Sequence, residues 1–447
     1  MDVDRNREAL KDIPDSQAGR RMKWYLGMLL SRGEGASAAD RDRYTPEFAP
    51  RIGRFESDER EREGWRGFAE RFGEISELSV EPQSEFKIDA RVATAKNQKW
   101  QLSIQVEPDP PHRISLINWQ RQYEFKLETR EATAADAPVL ADIERRCPIV
   151  LGETHVHFDR GNDYFAFARL MEDCAIGIAS VDGIPAAVSC GAMHTVRIGG
   201  VPHPIVTVVH LRVLPEHQRK GLWGAANRIL DRYWSKVDGS NAYVSLDNAG
   251  MQHGFINTPD KWSIPVFRIQ LGCAAIAGPA AGRPTTPADA PALVELLNSF
   301  HGREEMYAPY TVESLSARLS RAPELYSWSR VWTTDGAMVG VWPAGDSMRV
   351  VSETRGVRTE SKRGLVLDYA FKPGAEREFE ALLRAWCGSI RERGMDTLSI
   401  FSSPLSPGVD LLRSLAREVE PFNLWTPGIA VPADAGERGL YVDPIYF

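Results

Sequence analysis

The feature that most limits the fold is an internal echo. TREATAADAPVLADIERRC at residues 129–147 is repeated in outline by RPTTPADAPALVELLNSFHG at 283–302, and each places ADAP near the head of a helix. A second pair follows in the same order. HLRVLPEHQRKGLWGAANRILDRYW (210–234) is matched by GLVLDYAFKPGAEREFEALLRAWCGSIRERG (364–394), and AYVSLDN (242–248) by DTLSIFSSP (396–404). Each run reads as strand, Pro, helix and strand. Such echoes predict a duplicated domain whose second copy has diverged. Residues 274–284, AAIAGPAAGRP, lack periodicity and are rich in Ala, Gly and Pro, so they read as the linker between copies.

Ahead of the echo lies a segment of different pattern. Helix-like runs, AGRRMKWYLGMLLSRG and REGWRGFAERFG, precede four alternating strands, ISELSVEP, FKIDARVATA, KWQLSIQVEP and HRISLINWQ. This is a small α+β unit over about 15–122. Its order of helix, helix and curved antiparallel sheet resembles the cone of the nuclear transport factor family. The stretch from Phe72 to Trp119 resembles the accessory domain of β-lactamase-related serine hydrolases, although no SxxK nucleophile follows. A packing or dimerisation role is the plain alternative. The expected architecture is therefore mixed α/β with α+β character: an N-terminal cone-like domain (15–122) followed by two mixed-sheet domains (126–275 and 283–447). A length of 447 residues agrees with about three domains.

Composition excludes several function classes. With 43% apolar and 26% charged residues the chain reads as ordinary soluble globular protein. A net charge of −7 lacks the basic excess that neutralises phosphates along nucleic acid. Five cysteines form no CxxC pair, which argues against a disulfide framework or structural zinc. Residues 1–20 have no apolar core, and no run of 18 uncharged apolar residues occurs. A cytoplasmic protein without membrane or nucleic-acid partners is expected; a homodimer is left open.

The chemistry-bearing stretch is 208–234. A β-branched strand ends at Val213, Pro215 stops it, and a turn of Gln218, Arg219, Lys220 and Gly221 leads into a helix expected from about Lys220 to Trp234. Backbone N–H groups of such a turn converge at the helix N-terminus, where the macrodipole favours anions. Gly221 lets backbone approach phosphate, and Arg219 and Lys220 add positive charge. The plain alternative is a strand-to-helix turn with a solvated basic tip.

VLPEHQRKGLW closely resembles motif A of the GNAT superfamily of acyl-CoA-dependent N-acyltransferases, V-x-P-x-x-[QR]-x-x-G-x-[GA], and the strand order of 126–275 extends the resemblance. The resemblance implies acetyl-CoA, or another acyl-CoA, as co-substrate. Leu211 and Val213 would flank the pantetheine, with a strand N–H polarising the thioester carbonyl. Gln218, Arg219, Lys220, Gly221, Leu222, Trp223 and Gly224 would grip the pyrophosphate. The last small residue of the motif is Trp223 here, with Gly224 one place later. Bulky residues occur there in the enhanced-intracellular-survival type of acetyltransferase, which also uses tandem GNAT folds. In that type the C-terminal carboxylate, here that of Phe447, can serve as base.

Acyl transfer needs oxyanion donors, a base for the amine and an acid for the sulfur. Bases of the family sit two or four residues before Leu211, but Val209 and Thr207 occupy those positions. His210 is titratable; strict alternation points it to the opposite face, although a bulge could re-aim it. Asn248 ends the next strand at a cofactor position, or serves as turn chemistry only. Phe255 stands where the family's acid Tyr would, leaving His253 as a substitute. Glu153, His155, His157, Asp159, Asp163 and Tyr164 crowd LGETHVHFDRGNDYF, a connection that borders the acceptor pocket in GNAT folds. Of these, Glu153 and His155 are candidates to accept the amine proton through water; a solvated polar loop is the alternative. HxH invites a metal, but no third ligand stands at supporting spacing. In the second copy Glu376 and Glu378 open the helix and would repel a pyrophosphate, and the terminal YVDPIYF reads as a last strand.

The expected function is transfer of an acyl group from acetyl-CoA to a small amine. The rivals are a catalytically silent acyl-CoA-binding or scaffold protein, and acyl transfer involving a carrier protein.

Overall fold

The computed structural model describes residues 10–46, 48–49, 57–95, 98–161, 163–218, 220–246, 261–427 and 437–446. The chain divides into two compact units, Met1–Lys126 and Leu127–Phe447.

In the first unit, α1 (Gln17–Leu30) begins where the Ser16 side chain accepts from Gly19 N–H, and α2 (Asp58–Phe72) where Ser57 accepts from Arg60 N–H. Gly73, at φ 86°, ends α2 in a conformation that glycine adopts freely. Four strands follow as an antiparallel meander: β1 (Ile75–Ser84), β2 (Lys87–Thr94), β3 (Lys99–Val106) and β4 (Ile114–Gln122). Alternation sends Ile88, Ala90, Val92, Leu102 and Ile104 into one core with Met22, Leu26 and Trp65 of the helices.

The second unit opens with β5 (Leu127–Glu131), α3 (Ala137–Arg146), β6 (Ile149–Leu151), β7 (Thr154–Asp159), α4 (Ala166–Leu170), β8 (Asp173–Val181), β9 (Ile184–Ile198) and β10 (Val201–Val213). It continues with α5 (Leu222–Ala226), α6 (Asp231–Trp234), β11 (Gly239–Ser245) and β12 (Lys261–Gly272). After residues 273–282 come β13 (Arg283–Pro284), α7 (Ala290–His301), α8 (Val312–Arg321), β14 (Val331–Thr333), β15 (Ala337–Trp342), β16 (Arg349–Thr354) and β17 (Val357–Ser361). The last elements are β18 (Arg363–Phe371), α9 (Glu376–Glu392), β19 (Thr397–Ser402), α10 (Val409–Leu415) and β20 (Glu418–Pro427).

A 12-stranded sheet among the described residues runs β13-β14-β15-β18-β19-β12-β20-β11-β10-β9-β8-β5. The two halves exchange their closing strands at its centre. β12, from the first half, pairs with β19 of the second, and β20, from the second, pairs with β11 of the first. One apolar core accordingly draws on both halves, with Leu140, Ile178 and Val209 in the same cluster as Leu293, Leu367 and Leu424.

Local features recur in both halves. Arg130 donates to both oxygens of Asp136 at 2.8 and 2.6 Å, and Arg283 does the same to Asp289 at 3.0 and 2.5 Å. In each case the aspartate also accepts the backbone N–H of a capping threonine, Thr133 or Thr286, at 2.8 Å. β10 and β11 pair in parallel only at 205–207 with 239–241; β18 and β19 do so only at 363–365 with 397–399. Both β10 and β18 carry a bulge a few residues further on, between Val209 and Arg212 and between Val366 and Asp368.

Other readings of the sequence need correction. The helix expected from Lys220 to Trp234 is instead α5, a 3-10 turn over Asn227–Leu230 and α6. This broken rod lies unusually close to the sheet. A Cβ at Gly177 of β8 would stand 2.5 Å from Ile229 Cγ2 and 2.6 Å from the Ala226 carbonyl, and one at Gly191 of β9 2.6 Å from Leu230. Gly177→Val is expected to cost about 1–3 kcal/mol, because a backbone oxygen must move; the midpoint of urea unfolding checks this, and an unchanged midpoint would refute the close approach. The terminal YVDPIYF is no strand in its described part. Pro444 cannot donate to a ladder, and Asp443 accepts from Ile445 N–H at 3.1 Å, folding Pro444–Tyr446 into a 3-10 turn.

Candidate active site

Because β10 and β11 share only three parallel rungs, they part beyond Thr207 and Asn241, and β11 continues along β20 instead. The parting opens between the carboxyl ends of two parallel strands, where open α/β sheets bind ligands. The bulge falls on this free stretch of β10. Val209 is opposite Cys190 and Arg212 opposite Val188, so His210 and Leu211 together face one residue, and His210 takes φ 50°. Pairing with β9 is interrupted there, on the stretch of β10 that β11 no longer accompanies.

His210 is re-aimed by this bulge. Its ring packs edge-on against Phe167 at 4.3 Å between centroids, and Arg160 Nη2 donates to its Nδ1 at 2.9 Å. Arg160 is itself buried. Its Nε and Nη2 donate to Glu144 of α3 at 2.8 and 3.3 Å, and its guanidinium lies 4.2 Å from the Phe167 ring centroid. Burial first, then the Arg160 and Arg212 charges, hold the His210 pKa well below its ordinary value. The ring nitrogen that could accept a proton already accepts from an arginine. His210 is thereby corrected from a candidate base to a residue that pins the bulge in place.

Beyond the strand, Pro215–His217 form a 3-10 turn and Gly221, at φ 81°, caps α5. A side chain is rarely tolerated at that φ, so the glycine is dictated by the loop path. Gln218 is exposed and its Nε2 donates to Val213 O at 3.4 Å; Lys220 is half-buried, Leu222 buried, and Trp223 exposed. A Cβ at Gly224 would meet nothing within 4 Å. Arg212 Nε and His217 Nδ1 are enclosed without hydrogen-bond partners. Unpaired polar atoms of this kind, beside the free N–H groups of a helical first turn, fit a ligand rich in phosphate oxygens. Arg219, Asn248, His253, Phe255 and Phe447 lie outside the described residues.

The HxH stretch is a β-hairpin rather than a loop. The alternation in THVHFD makes β7, which pairs with β6 and, from the second half, β16. Glu153 is exposed and bonds Arg355 at 2.7 Å. His155 lies opposite Glu353; His155, His157 and Asp159 line a groove of about 590 Å³ with Asp142 and Arg145 of α3 and Arg358 of β17. Burial lowers the His157 pKa, and Arg358 adds to the effect. Arg160, the next residue along, turns instead to His210. Asp163 is paired with Arg169 at 2.7 Å, and Tyr164 is buried beside Arg160. Among the described residues no group of three or more ligating side chains is arranged to hold a metal.

The corresponding parting in the second half is filled by the protein itself. His301 Nε2 donates to the carbonyl of Tyr369 at 2.7 Å, and its Nδ1 meets Glu304 at 2.5 Å. Ser403 and Ser406 hold Leu440 beside them through its N–H and carbonyl. At the helix start Glu378 accepts Gly336 N–H at 3.0 Å and Glu376 accepts Gly374 N–H at 3.2 Å, so two carboxylates stand where a pyrophosphate would have to approach.

Arg160, Glu144 and His194 belong to the site region without a motif to mark them. His194 sits in an apolar strand, yet its Nε2 is 2.7 Å from Thr207 Oγ1 and its ring stacks on Tyr446 at 3.8 Å. A histidine on an alternating strand carried no distinguishing local signal.

No family model matches the chain, and no curated protein matches it. Among solved structures, Saccharomyces cerevisiae N-myristoyltransferase with bound myristoyl-CoA superposes with a TM-score of 0.50 at 12% identity, covering 75% of this chain and 92% of its own. The GCN5-related N-acetyltransferase of Kribbella flavida matches more loosely, with a TM-score of 0.37 at 14% identity over 68% of this chain and 71% of that one.

Proposed function

We propose that the second unit, whose mixed sheet has a GNAT-like N-acyltransferase fold, binds an acyl-CoA, of which acetyl-CoA is the first to test, and transfers the acyl group to a small amine. The observation that carries this reading is the bulge at His210 and Leu211, set where β10 and β11 part and followed by the Gly221 turn. On this reading strand N–H groups past the last rung would polarise the thioester carbonyl, and the turn would take the pyrophosphate. The N-myristoyltransferase of similar fold is seen with myristoyl-CoA bound, which supports an acyl-CoA in this slot. On the same reading the second half is a diverged GNAT copy, and the filling of its parting by His301, Ser403, Ser406 and Leu440 supports a structural role.

Within the site, Arg160 and Glu144 fix the bulge, Leu211 and Val213 flank the slot, and Gly221 with its neighbours would hold the pyrophosphate. The protein is mixed with acetyl-CoA and a panel of primary amines, and thiol release and acyl-CoA binding are both followed. Release with at least one amine is expected, with binding lost in Gly221→Glu. Binding unchanged by that carboxylate would remove the turn from the argument. Tight binding with no release across the panel would favour a silent acyl-CoA-binding protein.

A further inference from the structure

Resting on that reading, we infer that His194 is the proton acceptor of the reaction, reached through the Thr207 hydroxyl. Thr207 stands on the last rung before β10 and β11 separate, at the root of the slot, and is fully buried. Threonine cannot itself take a proton, but its Oγ1 is 2.7 Å from His194 Nε2 on the neighbouring strand β9. The pair provides a hydroxyl backed by an imidazole.

A second observation points to the same place. Asn241 is the rung partner of Thr207; it is 2% exposed, and neither its Oδ1 nor its Nδ2 has a hydrogen-bond partner. Thr426 Oγ1, on the adjoining strand β20, is likewise buried and unpaired. A bond between the two side chains would still leave an amide oxygen or hydrogen unsatisfied. Buried polar atoms of this kind are met by ordered water, and a water held by Asn241 beside Thr207 links the slot to the dyad.

Tyr446 stacks on the His194 ring. Asp443 of the same segment favours a transient imidazolium, and Arg318 of α8, which binds Asp443, opposes it. Burial keeps His194 neutral at physiological pH, its pKa lowered to about 4. In the step, the amine nitrogen forms the N–C bond to the thioester carbon and the C–S bond breaks. The amine proton passes through water and the Thr207 hydroxyl to His194 Nε2, and then to the departing sulfur, so that CoA leaves as the thiol and the imidazole returns to neutrality.

His194→Gln keeps a hydrogen-bonding partner for Thr207 but cannot be protonated. It is expected to lower kcat by about 100-fold or more while acyl-CoA binding stays within two-fold. It should also remove from the acid limb of kcat the inflection near pH 4 that His194 contributes, leaving the fall that protonation of the amine itself causes. Thr207→Val should behave alike and Thr207→Ser should retain most activity. Unchanged kcat, or an unchanged acid limb, in His194→Gln would overturn the assignment. Nitrogen NMR of the wild-type protein at pH 7 is a check independent of turnover and of the variant's folding: Nε2 must be unprotonated, and a protonated Nε2 refutes the relay. Absence of acyl-CoA binding in the wild type would instead bring down the proposed function, and the relay with it.

Discussion

Replacing Arg318 with Leu is expected to remove about 3–5 kcal/mol of folding stability. The guanidinium is 8% exposed and bonds Asp368 through Nε at 3.1 Å and Asp443 through Nη1 and Nη2 at 2.8 and 3.0 Å. Tyr326 and Tyr310 add their hydroxyls to Asp368 at 2.7 and 3.2 Å. Leucine fills part of the space yet strands two carboxylates in the interior, and it is this uncompensated charge, more than the lost bonds, that sets the size of the effect. Lysine keeps the charge but cannot reach both carboxylates in a planar fork, so Arg318→Lys should fall between the two. Removing the exposed Arg358, paired with Glu360 at 2.8 Å, should change stability by less than about 1 kcal/mol. Urea unfolding of the three variants checks the order; equal losses at Arg318 and Arg358 would contradict it.

Acidification from pH 7 to 4 is expected to destabilise the second unit through two histidines held neutral. The folded pKa of His194 is lowered to about 4 from 6.5, mainly by burial, and that of His210 is lowered by burial and by the charges of Arg160 and Arg212. A depressed folded pKa means that the unfolded chain binds the proton first. Stability is therefore full above about pH 6.5 and falls as pH drops toward the folded value. For His194 alone the interval corresponds to about 3 kcal/mol at most, since the residue retains some exposure. Comparing the pH dependence of unfolding in wild type and His194→Gln isolates its share. A wild-type stability flat between pH 6.5 and 4.5 would show that neither histidine is desolvated.

Elements governed by local patterns were legible in advance. The Ser- and Thr-capped helices, the hairpin turns at Asp182-Gly183 and Gly199-Gly200, where all four residues take positive φ, and the strands of the first unit all follow from short-range rules. What escaped depends on partners far along the chain. The break between α5 and α6 is tied to Gly177 and Gly191 on strands some forty residues earlier. The hairpin at 149–159 reads as a loop until β16, about two hundred residues later, supplies its neighbour. The candidate site is marked in the sequence by a motif, VLPEHQRKGL, but its side-chain contacts are not. Glu144, Arg160 and His210 come from a helix, a loop and a strand, and His194 meets Thr207 only because β9 and β10 are paired in one register.

The crossing of β12 and β20 has a consequence for the history of the chain. Each half is completed by the other's last strand, so a recombination event that replaced or deleted either one would leave an open edge on its neighbour. The pair is heritable only as a whole. If the second half is a diverged copy, as proposed, it would be retained after losing a ligand because the first half needs its final strand, and His301, Glu304 and the serines could then fill its slot.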